Sequence, residues 1–152
     1  MNYNIKSRRY NQIFFKISTL ITISWFCFMT YLSHQIGETT TELSKGIVEK
    51  IIEYFNLTNY NEIHYIIRKL AHPFVFSIFA VLVLFTLSLK WNSKKIYFFA
   101  IVLISLWTWL DEVTKLSIPG RHFSWEDTLL NLVGVIVGVI IFILFSYWKK
   151  NN

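Results

Sequence analysis

The sequence predicts an all-α integral membrane protein, a bundle of four transmembrane helices with an external amphipathic helix between helices 1 and 2. Of the 152 residues, 54% are hydrophobic, and most of these lie in four runs. A bilayer core about 30 Å thick is crossed by roughly 20 apolar helical residues, or somewhat fewer when flanking side chains snorkel. The runs cover residues 14–32, 73–89, 96–110 and 129–148. A soluble helical protein is excluded because the charged residues are not spread along every helix.

The distribution of charge predicts the orientation. Nine of the 15 Lys and Arg residues lie before or at the start of the first run, between the second and third, or after the fourth, where no acid occurs. All nine acids lie in segments 33–72 and 111–127. Because cytoplasmic segments are enriched in Lys and Arg, we expect both termini to be cytoplasmic and the acidic segments external. The net charge of +6 then reflects topology and contact with anionic lipid, and no nucleic-acid partner is expected.

One membrane domain is expected over residues 1–152, with helices at about 14–33, 62–90, 96–113 and 125–148. The first run is long, contains Trp25 and Phe26, and is not followed by a small-x-small cleavage motif. It is therefore interpreted as a retained helix rather than a cleaved signal peptide.

A polar segment, 33–44, follows the first helix. Apolar residues then recur at three- and four-residue spacing between Leu43 and Phe55, and charged residues take the other face. This pattern predicts an amphipathic helix on the outer membrane surface. A plain connector packed on the bundle remains an equal alternative.

The second helix is predicted to pass from the outer surface into the bilayer at His72. Pro73 follows inside the helix and frees the carbonyl of Lys69, because proline has no N–H to donate. The third helix ends in Trp107 and Trp109, which are typical of a membrane interface.

The fourth helix begins with Ser124 as a predicted N-cap. Asp127, Asn131, Gly134 and Gly138 recur at intervals of four, three and four, so they share one helix face. The two glycines predict that another helix backbone approaches closely along this face.

Polar side chains are predicted to converge at the outer ends of helices 2, 3 and 4. Ionisable groups at membrane depth usually face a protein interior or a wet cavity, which favours a small pocket that opens outward. For each residue, a purely structural role is the alternative to ligand binding: an ion pair, a helix cap, a packing contact or a contact with lipid phosphate. The candidate ligand-binding residues are Arg68, Lys69, His72, Asp111, Glu112, Lys115, Arg121, Asp127 and Asn131.

No familiar catalytic motif is present, neither a Gly-rich phosphate loop nor HExxH nor GxSxG. His64 and His72 are eight residues apart and can share a helix face, but the sequence specifies no third ligand. No metal and no cofactor are predicted.

Three stretches of the sequence together indicate a family. They are residues 68–72 (RKLAH) with Phe76, 111–112 (DE) followed by 119–121 (PGR), and 127–138 (DTLLNLVGVIVG). In these stretches the chain resembles the VanZ-like family of small bacterial membrane proteins. The resemblance implies a four-helix membrane protein, and the family's namesake lowers susceptibility to teicoplanin-type glycopeptides.

Two departures from the family pattern stand out. Val75-Phe76 occupies the place where the family often has Glu-Tyr, and Lys115 the place where it often has Gln. One carboxylate is lost and one cation gained, which weakens the case for proton transfer and strengthens that for anion binding.

The leading hypothesis is a non-enzymatic protein of the cell envelope that binds an anionic lipid or cell-wall-precursor headgroup from outside. Its ligand-binding cations would be Arg68, Lys69, Lys115 and Arg121, held in place by the neighbouring carboxylates and Asn131. The alternative is a membrane enzyme that acts on a lipid-linked or phospholipid substrate, with His72 as base or nucleophile and Glu112 or Asp127 as acid. An ion-coupled transporter is disfavoured, since no charge except Lys16 lies in the inner half of a span.

Overall fold

The structure, a computed structural model, describes residues 2–35, 45–46, 48–50, 52–54 and 59–151, with only the backbone described for 2–10. Its helices are α1 (Asn2–Ser33), α2 (Tyr60–Ser88), α3 (Lys94–Thr114) and α4 (Trp125–Asn151), and a 3-10 turn (Lys115–Ser117) follows α3. No strand occurs among these residues. All four helices are long and apolar enough to cross a membrane, which confirms the predicted fold class.

The helices run past the apolar runs that predicted them. The first begins at Asn2 and the last ends at Asn151, so charged flanking residues belong to both. Lys, Arg and Gln are good helix formers, and they continue a helix that the membrane-spanning residues have already nucleated.

Part of the predicted amphipathic helix is described. Residues 45–46, 48–50 and 52–54 are helical, and Val48 is fully buried. The remainder, including Leu43, Ile47, Ile51 and Phe55, lies outside the described residues. Its position on the outer membrane surface stays a prediction.

Close packing of α2 against α4 forms the centre of the bundle. A Cβ added to Gly134 would meet the backbone of Pro73, with the Cα only 2.7 Å away. A Cβ added to Gly138 would meet the Ser77 carbonyl and lie 2.8 Å from the Ala80 Cβ. The close approach predicted for the glycine face is confirmed, and α2 is the helix that makes it.

The other two helices complete the bundle. Met29 of α1 and Ile104 of α3 join the apolar core between α2 and α4. Helix α1 is also held by polar contacts, because the Thr86 hydroxyl lies 2.6 Å from that of Ser18 and 2.9 Å from that of Thr22. Hydroxyl pairs of this kind join helices where water is scarce.

Candidate functional site

The predicted site residues lie at one end of the bundle. We call it the acidic end, and it comprises the last turns of α1 and α3, the Lys115–Ser117 turn, and the N-terminal parts of α2 and α4. It is also the end at which the sequence predicted a polar pocket.

Lys69 joins α2 to α4 through two carboxylates. Its Nζ donates to Asp127 Oδ1 at 2.7 Å and lies 3.0 Å from Glu126 Oε2. The Tyr65 hydroxyl donates to the other Glu126 oxygen at 3.2 Å. Lys69 is about a quarter exposed, so this ion pair is only partly shielded from its surroundings.

His72 lies one turn deeper and faces α4. Its Nδ1 is 3.1 Å from Asn131 Oδ1, and because that oxygen can only accept, Nδ1 carries the proton and donates it. Its Nε2 is 3.8 Å from Asp127 Oδ2, which is beyond hydrogen-bond distance. Asn131 is fully buried, so the hydrogen bond to His72 fixes the imidazole against the glycine face of α4.

A buried ion-pair group lies on α3 beside this cluster. Asp111 is 1% exposed, Glu112 0% and Lys115 4%. The Lys115 ammonium is bonded to Glu112 Oε1 and lies 3.6 Å from Asp111 Oδ2. The Ser33 hydroxyl, at the end of α1, donates to the same Asp111 oxygen at 2.6 Å. These charges are therefore part of the protein interior rather than of its surface.

Two carboxylate oxygens of this group are buried without a described partner. They are Asp111 Oδ1 and Glu112 Oε2. The amide nitrogen of Asn131 is also buried without a described hydrogen-bond partner. Buried polar atoms usually have a hydrogen-bond partner, so atoms without one indicate a place for a ligand, an ion or water.

A cleft of about 250 Å³ opens beside the ion pairs. Its lining is predominantly basic, with one carboxylate, and it draws mainly on α2. Arg68 is half-buried in this lining. The lining residues are His64, Tyr65, Arg68, Lys69, His72 and Asp127.

Arg121 lies in the loop between α3 and α4. Its Nε donates to the Gln35 carbonyl at 3.1 Å, which ties this loop to the end of α1. Gly120 before it has a φ of 76°, a conformation that glycine adopts without strain. The Asp127 amide donates to the Ser124 hydroxyl at 3.1 Å, which confirms Ser124 as the predicted N-cap of α4.

The structure brings most of the nine candidate residues together. Lys69, His72, Asp127 and Asn131 form one set and Asp111, Glu112 and Lys115 a second. Ligand atoms of His72, Glu112 and Asp127 lie within 4.8 Å of one another and so join the two sets. Arg68 lines the adjoining cleft, whereas Arg121 is described in contact with the end of α1.

The sequence-based site omitted His64 and Tyr65, which line the cleft, and two residues that pair with its charged side chains. Glu126 pairs with Lys69, and Ser33 binds Asp111. Glu126 directly precedes the predicted site residue Asp127 in the sequence, and this could have indicated that it belongs to the site. Ser33 begins the polar segment 33–44, but its contact with Asp111 depends on how α1 packs against α3.

The VanZ/LLP1 family model matches residues 18–146. The chain belongs to the VanZ/LLP1 family. This confirms the resemblance seen in the sequence, and the match encloses all nine candidate residues of the acidic end. No curated protein and no solved structure is significantly similar to this VanZ/LLP1 protein.

Proposed function

We propose that this VanZ/LLP1 protein binds the anionic headgroup of a membrane lipid or of a lipid-linked cell-wall precursor at the outer face of the cell membrane. The observation that supports this most is the basic cleft at the acidic end, where Arg68 and Lys69 lie beside His64 and His72. A phosphate group is well matched to such a cleft, because a guanidinium can bind two of its oxygens.

The four predicted cations contribute differently to this proposal. Lys115 is buried against Glu112, so its ammonium serves the interior ion-pair group rather than an incoming lipid. Lys69 is held by Asp127 and remains partly exposed at the cleft. Headgroup binding is therefore assigned first to Arg68, with Lys69 as its partner. Arg121 would hold the α3–α4 loop in place.

Binding of short-chain lipids to purified protein in detergent tests this proposal. We expect dihexanoyl phosphatidylglycerol to bind more tightly than dihexanoyl phosphatidylcholine in calorimetric titrations. Arg68→Gln should weaken binding of the anionic lipid by about tenfold, because it removes a charge-assisted hydrogen bond. A short-chain polyprenyl diphosphate, titrated in parallel, distinguishes a cell-wall-precursor headgroup from a phospholipid headgroup.

Lys50→Gln is the matched control. Lys50 is exposed and lies in the same acidic segment of the sequence, but it is not part of the cleft. Its substitution should leave both affinities unchanged. Equal binding of the two phospholipids and of the diphosphate, or an Arg68→Gln protein that binds like wild type, would contradict headgroup binding at this cleft.

A cellular consequence follows if the bound headgroup belongs to a cell-wall precursor. A precursor whose headgroup is bound by the protein would be less accessible to a glycopeptide, so loss of the protein should raise teicoplanin susceptibility. Susceptibility of a deletion strain, with wild-type or Arg68→Gln protein restored, tests this step.

The meeting of His72, Glu112 and Asp127 favours a second candidate, an enzyme that acts on a lipid-linked or phospholipid substrate. His72 would act as base or nucleophile, with a carboxyl group as acid. Incubation of the same lipids with the protein, followed by mass spectrometry, decides between the candidates. New lipid products that disappear in His72→Gln would favour the enzyme.

A further inference from the structure

We propose that His72, Glu112 and Asp127 form a binding site for one divalent metal ion at the floor of the cleft. The three residues belong to α2, α3 and α4, and one ligand atom from each lies within 4.8 Å of the others. An imidazole and two carboxylates are common ligands of divalent transition metals. Metal binding at this site does not depend on headgroup binding.

The two lysines leave one oxygen of each carboxylate free for the metal. Lys115 is bonded to Glu112 Oε1, while Glu112 Oε2 is buried and has no described hydrogen-bond partner. Lys69 is bonded to Asp127 Oδ1, while Asp127 Oδ2 points toward His72 at 3.8 Å. Each lysine therefore orients one carboxylate and leaves its second oxygen without a lysine partner.

Asn131 orients His72, the third proposed ligand. Its side-chain oxygen accepts the hydrogen bond from His72 Nδ1, so the free lone pair is on Nε2, which lies 3.8 Å from Asp127 Oδ2. Histidines that bind metals commonly donate their other ring N–H to such an acceptor, which fixes the tautomer and the ring orientation. The buried position of Asn131 makes this support rigid.

The charge of the ion-pair network also favours a cation. Among the described ion pairs, four carboxylates face only two ammonium groups, which leaves a formal charge of −2 when His72 is neutral. Arg68 of the adjoining cleft offsets part of this charge, and a divalent ion would offset the remainder. The carboxylates are Asp111, Glu112, Glu126 and Asp127, and the ammonium groups are those of Lys69 and Lys115.

The ligand set indicates the class of ion. One nitrogen and two oxygens suit Mn²⁺ or Zn²⁺ better than Ca²⁺ or Mg²⁺, which prefer oxygen ligands alone. Metal–ligand bonds of about 2.0–2.2 Å keep ligand atoms at most about 4.4 Å apart, so a small side-chain rotation closes the site. Three protein ligands leave coordination positions open toward the cleft.

Mn²⁺ binding to the purified, chelator-treated protein in detergent tests this proposal. We expect electron paramagnetic resonance to show one bound Mn²⁺ per chain, and pulsed measurements to detect a directly coordinated imidazole nitrogen. His72→Ala should abolish the nitrogen coupling and weaken binding at least about tenfold. If His72→Ala does not fold, His72→Gln tests in the same way whether the coupled nitrogen belongs to His72.

Two neighbours provide matched controls. His64 lines the same cleft, and Glu126 also pairs with Lys69, but neither belongs to the proposed ligand set. His64→Ala should retain the nitrogen coupling, and Glu126→Gln, which removes one charge of the network but no ligand, should retain the nitrogen coupling and weaken binding less than His72→Ala does. The proposal is overturned if folded wild-type protein binds no Mn²⁺ at millimolar concentration, or if the nitrogen coupling persists in His72→Gln. Loss of metal binding with intact lipid binding would leave the proposed function standing.

Discussion

At the scale of single residues, Lys115 shows what sequence spacing can and cannot reveal. Its spacing of four from Asp111 allowed a helical ion pair, and the structure adds a second pair with Glu112 at a spacing of three. The same spacing is found in exposed and in buried pairs. Burial here depends on the end of α1, from which Ser33 reaches Asp111. The proximity of these charges was therefore predictable, whereas their position in the interior was not.

Lys115→Met should be strongly destabilising because it leaves two carboxylates buried without their cation. We expect the free energy of unfolding in detergent to fall by about 3–5 kcal/mol. The double variant Lys115→Met/Glu112→Gln should recover much of this loss, since it removes one of the stranded charges. Lys95→Met, an exposed lysine near the start of α3, is the control. Equal stability of Lys115→Met and Lys95→Met would show that the buried ion pair contributes nothing.

At the scale of helices, the glycine face of α4 was predictable and its partner was not. Intervals of four, three and four placed Asp127, Asn131, Gly134 and Gly138 on one face, and the structure buries the last three. Only packing could show that α2 approaches this face with Pro73 opposite Gly134. Because the polar and glycine residues share a face, the contact that holds α2 and α4 together also brings His72 to Asn131.

Gly138→Leu should separate α2 from α4, because even a Cβ at this position meets the Ser77 backbone. We expect a loss of at least about 1–3 kcal/mol in the free energy of unfolding, and a lower yield of folded protein. Val137→Leu adds bulk at an adjacent position that is 42% exposed, and it should have little effect. Thermal unfolding in detergent compares the two. Similar midpoints for both variants would place the glycine face against lipid instead of α2.

At the scale of the whole molecule, four spans and their family were predictable from composition and short motifs. Four helices long and apolar enough to cross a membrane are confirmed, and the match to the VanZ/LLP1 family, over residues 18–146, includes at least part of each. Orientation in the membrane depends on different information, because it is set by which end carries the excess of Lys and Arg. The proposed headgroup site requires that the acidic end face outward, so the orientation is central to the account.

Cysteine labelling of intact cells tests that orientation most directly. Ser117→Cys, at the acidic end, and Asn92→Cys, at the opposite end, are both exposed positions and would be compared in a Cys27→Ser background. We predict that a membrane-impermeant maleimide labels Ser117→Cys in intact cells and labels Asn92→Cys only after permeabilisation. Labelling of Asn92→Cys but not of Ser117→Cys in intact cells would place the acidic end in the cytoplasm and contradict an external headgroup site.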